Sequence, residues 1–306
     1  MGVLRLSRGK RSLTVAARIG MPRVCRRLQS RDREAAFAGD LFPPLRLSTP
    51  GAIPKHSFCS IVTVSDFRMT FVTTLTQLLD VLAACHGEQT VPWPTDPYLF
   101  LVWLHCGYPA SEAKCAKGWE SLSSQIGVDA ERILKANPVQ LASALKLGGM
   151  VPELRAMRLK EIAERVLKQY GGDLREGLNG LSVAQARGAL KQFPSIADPG
   201  ADRILLFAGI SPVAAVPSNC PHVLVRIQAG QERENYGRTY REAQQLIEGG
   251  LPPNFDSRTR GYLLLKCHGQ QLCKSSNPKC DICPVAPNCA FACGKLRGRP
   301  ISVKRT

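Results

Sequence analysis

Three things are scarce in this 306-residue chain: long apolar runs, acids near its start, and any clear strand alternation. No stretch approaches the roughly 20 apolar residues that a bilayer span needs. The best, YLFLVWLHCGY at 98–108, is too short and reads as a buried helix. The first 31 residues hold nine Lys or Arg and no Asp or Glu. A secretory signal with a small-residue cleavage site is also missing. That absence, with the length of the chain, turns the 12 cysteines away from a disulfide framework and toward reduced thiols in a cytosolic protein. Cys85, Cys106 and Cys115 sit among apolar neighbours and are expected to be buried.

What is abundant is positive charge. The formal net charge is +17; residues 1–56 carry 12 basic and 3 acidic residues, a net of +9, which leaves +8 for the rest. A basic body points to an anionic partner, most simply a nucleic-acid backbone. Residues 1–66 do not read as a folded domain. They fit a disordered basic tail, sequence translated upstream of a start at Met69, or an organelle transit peptide, the first two being preferred. The chain is expected in the cytoplasm, near the nucleoid if bacterial, and as a monomer. Residues 67–292 form the expected domain and 293–306 a basic tail.

From Met69 the pattern is helical, about ten helices in an all-α fold without internal repeats. LTQLLDVLAA puts Leu75, Leu78, Leu79 and Leu82 on one face. PYLFLVWLHC follows Pro94 and Asp96, and SEAKCAKGWESL opens at Ser111, both helix-start signals. PELRAMRLKEIAERVLKQY starts with Pro152 at a first helical position and ends at Gly171-Gly172. Its expected apolar stripe is Leu154, Met157, Leu159, Ile162 and Val166. SVAQARGALKQF begins at a Ser cap.

Residues 193–209, FPSIADPGADRILLFAG, read as a helix, a tight turn and a second apolar helix carrying Ile204, Leu205 and Phe207. Small residues at Ser195, Ala197 and Gly200 let the backbone approach a ligand closely. Free N–H groups at a helix start, with the helix dipole behind them, suit a phosphate. An ordinary packing corner, with Asp198 as N-cap and Pro199 at the first helical position, would use the same residues. The charge of Asp198 opposes an anion there.

CKSSNPKCDICPVAPNC at 273–289 places four cysteines at gaps of six, two and five. Four thiolates suit zinc or an iron–sulfur cluster. Zinc ribbons use paired C-x2-C knuckles, and only Cys280 and Cys283 form one; the longer wrap from Cys273 to Cys289, stiffened by Pro278, Pro284 and Pro287, suits the bulkier cluster. From Met69 to Ala292, through this spacing and the hairpin upstream of it, the chain resembles the helix–hairpin–helix DNA glycosylases of the endonuclease III family. The resemblance implies a two-lobed helical fold, a [4Fe–4S] cluster on Cys273, Cys280, Cys283 and Cys289, and double-stranded DNA as partner. It also implies that the cluster shapes a basic loop on the DNA backbone, a role open to Lys274, Lys279, Lys295, Arg297 and Arg299. Cys267 and Cys293 flank the motif outside the ligand set.

The family uses an acid to stabilise the oxocarbenium-like sugar; members with lyase activity add a Schiff-base lysine. Laid on the family's L-P-G-V-G-x-K-x-A hairpin, FPSIADPGA matches at Pro194 and Ile196 and puts Pro199 where the lysine belongs. The L-D-G-N-x-x-R-V-L segment, laid on AVPSNCPHVLVRI, puts Pro217 at the acid. The early-helix glutamate falls on Leu104. None of these three side chains exchanges a proton or carries charge. Asp198, Asp202, His105 and His222 lie near the vacant positions; as non-catalytic groups they read as an N-cap, a surface partner of an Arg, and two satisfied histidines. Trp103, Tyr108 and Phe193 are pocket-wall or wedge candidates that core packing would also explain. Three functions are compatible: a DNA-binding base-excision-repair homologue with little or no catalysis, a monofunctional glycosylase with an unlocated acid, and a redox-responsive iron–sulfur DNA-binding protein.

Overall fold

The computed structural model describes residues 74–296; the expected extension at 1–66 lies outside them. Among the described residues there are thirteen α-helices and no strand. The first is α1 (Leu75–His86), whose four expected leucines are its buried face and whose start is closed by a capping box between Thr74 and Gln77. Next come α2 (Pro97–His105), α3 (Glu112–Gln125), α4 (Ala130–Lys135), α5 (Pro138–Ala144) and the long α6 (Pro152–Tyr170). Then follow α7 (Leu174–Leu178), α8 (Val183–Leu190), α9 (Asp198–Phe207), α10 (His222–Ala229), α11 (Tyr236–Gly250), α12 (Phe255–Gln271) and α13 (Ala290–Leu296). The last runs four residues into the expected 293–306 tail.

The chain builds two apolar cores. The first is filled by α2 through α9, with Trp93 beneath them. The second gathers α1 with α10, α11, α12 and α13, so the chain leaves this core after α1 and returns to it only after α9. Two elements belong to both. In the extended segment before α10, Val213 and Ala215 enter the first core while Ala214 and Val216 enter the second. Tight bonds from the Val213 and Ala215 N–H groups to the Ser211 and Val213 carbonyls shape this segment, and its alternating side chains join the two cores. In α12, Tyr262 and Leu263 face the first core and Leu264 and Leu265 the second.

Several local expectations hold. Asp96 accepts from the Leu99 N–H at the start of α2, and Ser182 forms a capping box with Gln185 at α8. Others change. Ser111 precedes α3 but makes no side-chain cap bond. Met157 lies outside the buried stripe of α6 at 60% exposure, because the stripe turns instead through Ala156, Leu159, Ile162, Ala163 and Val166. Cys106 and Cys115 are buried, whereas Cys85 is exposed.

Arg155, buried in that stripe, was not foreseen. Its guanidinium donates to the carbonyls of Cys106 (2.7 Å), Met150 (2.6 Å) and Gly149, pinning the end of α2 to the loop before α6. The loop is tight: Val151 sits at φ 57°, a left-handed conformation that β-branched residues rarely adopt. A Cβ on Gly148 would overlap the Cys106 carbonyl and the Arg155 guanidinium. Gly148→Ala is therefore expected to cost at least about 2 kcal/mol, since backbone has to move. Urea denaturation checks this, and a loss below about 0.5 kcal/mol would show that the loop yields freely.

Candidate nucleic-acid interface and metal centre

The hairpin connects α8 to α9. The first helix stops at Leu190, not Phe193, because Gln192 and Phe193 close tighter bonds to the Ala189 and Leu190 carbonyls. Ser195 takes φ 61°, the left-handed turn that glycine adopts at no steric cost. The N-cap of α9 is Ala197, not Asp198: Ala197 is extended and has no side-chain oxygen to cap with. Asp198 and Pro199 are the first two helical residues. The start of α9 thus lacks a side-chain cap, and Ser195, Ala197 and Asp198 are all exposed. Gly200, in the first turn, is half-buried against Ile196.

The charge objection is answered locally. Lys191 Nζ lies 2.7 Å from Asp198 Oδ1, so the acid at the rim carries its own counter-charge. Nothing in the residue pattern singled out Lys191; its position at the end of α8, facing α9 across the turn, makes the pair.

Asp202 is not a surface acid. Its side chain is 1% exposed. It meets the Arg187 guanidinium of α8 and accepts from Tyr240 Oη and Gln244 Nε2 of α11, each at 3.0 Å. Burial pushes its carboxyl above the usual range, opposed by these three donors. With both oxygens engaged, Asp202 ties the hairpin helix to the second core. His222 is likewise engaged: Nε2–H donates to the Cys273 carbonyl at 2.7 Å. His105 is buried, with Nδ1–H on the Leu101 carbonyl at 2.8 Å and no partner on Nε2. Burial lowers the pKa of both histidines. Leu104 and Pro217 are buried, and Pro199 is half-buried beside the hairpin. Trp103 and Phe193 are core residues, while Tyr108 is 47% exposed. The most exposed apolar side chain among the described residues is Met150, at 88%, in the strained loop before α6.

Cys273, Cys280, Cys283 and Cys289 line one cavity with His268, whose Nε2 is 3.7 Å from Cys283 Sγ. The cavity is small, about 20 Å³, and no carboxylate lines it. Cys267 and Cys293 do not line it. Among the described residues no three His, Cys, Asp or Glu side chains converge closely enough for one metal ion. The four thiols share one cavity with apolar walls, and thiolates are the donor type that an iron–sulfur cluster takes. Arg226, 1% exposed, anchors the loop that carries them. It donates to the Lys274 and Ser275 carbonyls, each at 2.8 Å, pairs with Glu232 at 2.5 Å and points a fourth N–H toward Cys273 Sγ. Lys274 and Lys279 are exposed on the same loop. The side chains of Lys295, Arg297 and Arg299 lie outside the described residues.

Two helical cores bridged by α12, a hairpin with an open helix start and a closing cysteine loop define the helix–hairpin–helix glycosylase fold. The chain resembles the endonuclease III family of these proteins. Endonuclease III in a non-covalent DNA complex superposes with a TM-score of 0.58 at 15% identity, covering 72% of this chain and 96% of that one. A thermostable thymine-DNA glycosylase gives 0.55 at 20% identity, with 71% and 95% covered. The thymine/uracil-DNA glycosylase of Pyrobaculum aerophilum is 24% identical over 161 residues, 52% of this chain and 66% of that protein. The thymine/uracil-DNA glycosylase of Methanothermobacter thermautotrophicus is 26% identical over 164 residues, 53% of this chain and 67% of that protein. The matches thus span about two thirds of these relatives. No protein-family model matches the chain. Among the described residues no helix is long and apolar enough to cross a membrane.

Proposed function

We propose that the chain is a DNA-binding homologue of the base-excision-repair glycosylases that recognises damaged or mispaired bases in duplex DNA, with little or no catalysis of its own. The observation that carries the reading is the hairpin: an uncapped, exposed start of α9 with its one acid neutralised by Lys191. Such a start offers N–H groups and a positive dipole end to a phosphate. The names and DNA complexes of the relatives support the same partner.

Cys273, Cys280, Cys283 and Cys289 would hold a [4Fe–4S] cluster, which when bound supplies cross-linking of the 273–289 loop and local charge. The protein's own residues do the positioning. Arg226 and His222 hold the loop by its carbonyls, which leaves Lys274 and Lys279 free for the DNA backbone.

Pro199 supplies no amine, so attack on the sugar from the hairpin is absent. Pro217 and Leu104 supply no acid, and Asp202 and His222 are bound into structural networks.

Purified protein incubated with duplexes carrying uracil, oxidised pyrimidines or an 8-oxoguanine mispair is expected to leave them intact after alkali, an abasic duplex is expected to stay uncut before alkali, and borohydride is expected to trap no adduct. Protein-dependent breaks would replace this reading with a working monofunctional glycosylase. Replacing Lys274 and Lys279 by Ala is expected to weaken all duplexes alike and to flatten the salt dependence of log K by about 1.8, two phosphate contacts' worth. An unchanged slope would remove the loop from the interface.

A further inference from the structure

Both ring nitrogens of His268, on the wall of the cysteine cavity, are engaged. Nε2 is 3.7 Å from Cys283 Sγ, and Nδ1 is 3.1 Å from Nε2 of His86, the last residue of α1, 182 positions earlier. His86 Nδ1 lies 3.2 Å from Gln271 Oε1, and Gln271 Nε2–H donates to Cys267 Sγ at 3.1 Å. One unbroken chain of contacts thus runs from Cys283 through two imidazoles and an amide to Cys267, a cysteine that the ligand spacing leaves over. His268 is 1% exposed, and without a carboxylate on the cavity wall burial keeps its ring neutral. A neutral imidazole has one N–H and one bare nitrogen, so the direction of one link fixes the next.

Resting on the iron–sulfur reading of the four cysteines, we propose that His268 donates a hydrogen bond to the Cys283 sulfur and that His86 is the positioning residue that sets its tautomer. A ligand sulfur offers only lone pairs, so Nε2 of His268 carries the N–H. Its Nδ1 is then bare and accepts from His86 Nε2–H, and His86 Nδ1 accepts from the Gln271 amide. The amide must then turn over, with Oε1 on the Cys267 S–H. That exchange costs little, because the two ends of an amide are alike in size and a thiol both donates and accepts. Gln271 as it stands suits the opposite direction, in which a Cys283 thiol donates to a bare Nε2. Every link therefore runs either way, and the state of Cys283 sets the direction as far as Cys267. An N–H aimed at a ligand sulfur draws charge from it and favours the more negative, reduced cluster. Arg226 points such an N–H at Cys273; His268 is its counterpart at Cys283.

The test is a redox titration of iron-loaded full-length protein, with the rate of iron release to a chelator as a second readout; neither needs DNA or catalysis. His268→Leu is expected to lower the ratio of reduced to oxidised cluster at a fixed potential by at least about threefold, or about 28 mV for one electron. Iron release is expected to quicken by a similar factor. His268→Gln places an amide N–H near the position of Nε2 and is expected to hold both readouts close to wild type. His86→Leu removes the partner of Nδ1 and is expected to move both in the same direction by less, and His86→Gln to restore them. Unchanged values in His268→Leu, or a glutamine at 268 that does no better than leucine, would overturn the assignment and leave His268 a packing residue. Should His268→Leu fail to fold or to load iron, the half-buried His86 decides: wild-type values in His86→Leu would overturn the proposal. Wild-type protein without iron and acid-labile sulfide would end the cluster reading and this proposal with it, while the DNA reading stands.

Discussion

Asp202→Ala is expected to lower stability by about 3 kcal/mol, the cost of breaking a buried ion pair from one side. Arg187 is one-third exposed and can turn to water, which softens the loss. Tyr240 Oη, buried, has no such escape, and it and the half-buried Gln244 lose the oxygen they share. Because Asp202 joins α9 to α11, the damage falls on the seam that sets the hairpin against the second core. Urea unfolding measures the cost, and a shift under 1 kcal/mol would mean that the network is dispensable. The comparison with Asp202→Asn adds a second readout. Asparagine keeps an acceptor for Tyr240 but gives up the charge facing Arg187, so an intermediate loss is expected. A base-removal activity in the wild type that both variants abolish, with stability unchanged, would instead make Asp202 the acid that the hairpin lacks.

The second large effect is at Arg226. Arg226→Ala is expected to cost about 3–5 kcal/mol and to strip the cysteine loop of its hold on the second core. Two carbonyls, of Lys274 and Ser275, lose their donor, and the stack of the guanidinium on Phe291 at 4.8 Å goes with them. The partner Glu232 is 42% exposed and is resolvated without penalty. Iron and acid-labile sulfide per chain should fall together with the melting temperature, by roughly 2–4 °C for each kcal/mol in a chain of this size. Arg226→Lys keeps the charge but not the fork, and should rescue little, since one ammonium cannot serve both carbonyls and Glu232 in the same geometry. A variant that keeps its full iron and melts within 2 °C of wild type would show that the loop is held by the cysteines alone.

Much of the fold is legible in the residues. The leucine stripe of α1, the Asp96 and Ser182 caps and the Pro152 start of α6 are patterns whose partners lie within one or two turns, so the local chain suffices to place them. The gaps between the four cysteines, and the Pro199, Pro217 and Leu104 that fall where the resemblance implies a lysine and acids, are equally readable. Where a local pattern misled, a tertiary demand had overruled it. Met157 faces solvent because the small residues Ala156 and Ala163 let neighbouring helices close on the other side of α6.

Which polar groups meet across long stretches of chain was decided by the tertiary structure. Asp202 finds Tyr240 across 38 residues, Arg155 finds Cys106 across 49, and Lys266 finds Glu112 across 154. A charged side chain has no periodicity to read, and its partner depends on which of two cores each helix joins. That choice rests on summed apolar contact over whole helices, so the chain's residues determined helices, hairpin and cysteine loop, and only the closing of two cores around α12 brought Lys266 and Arg203 to the Glu112 carboxylate.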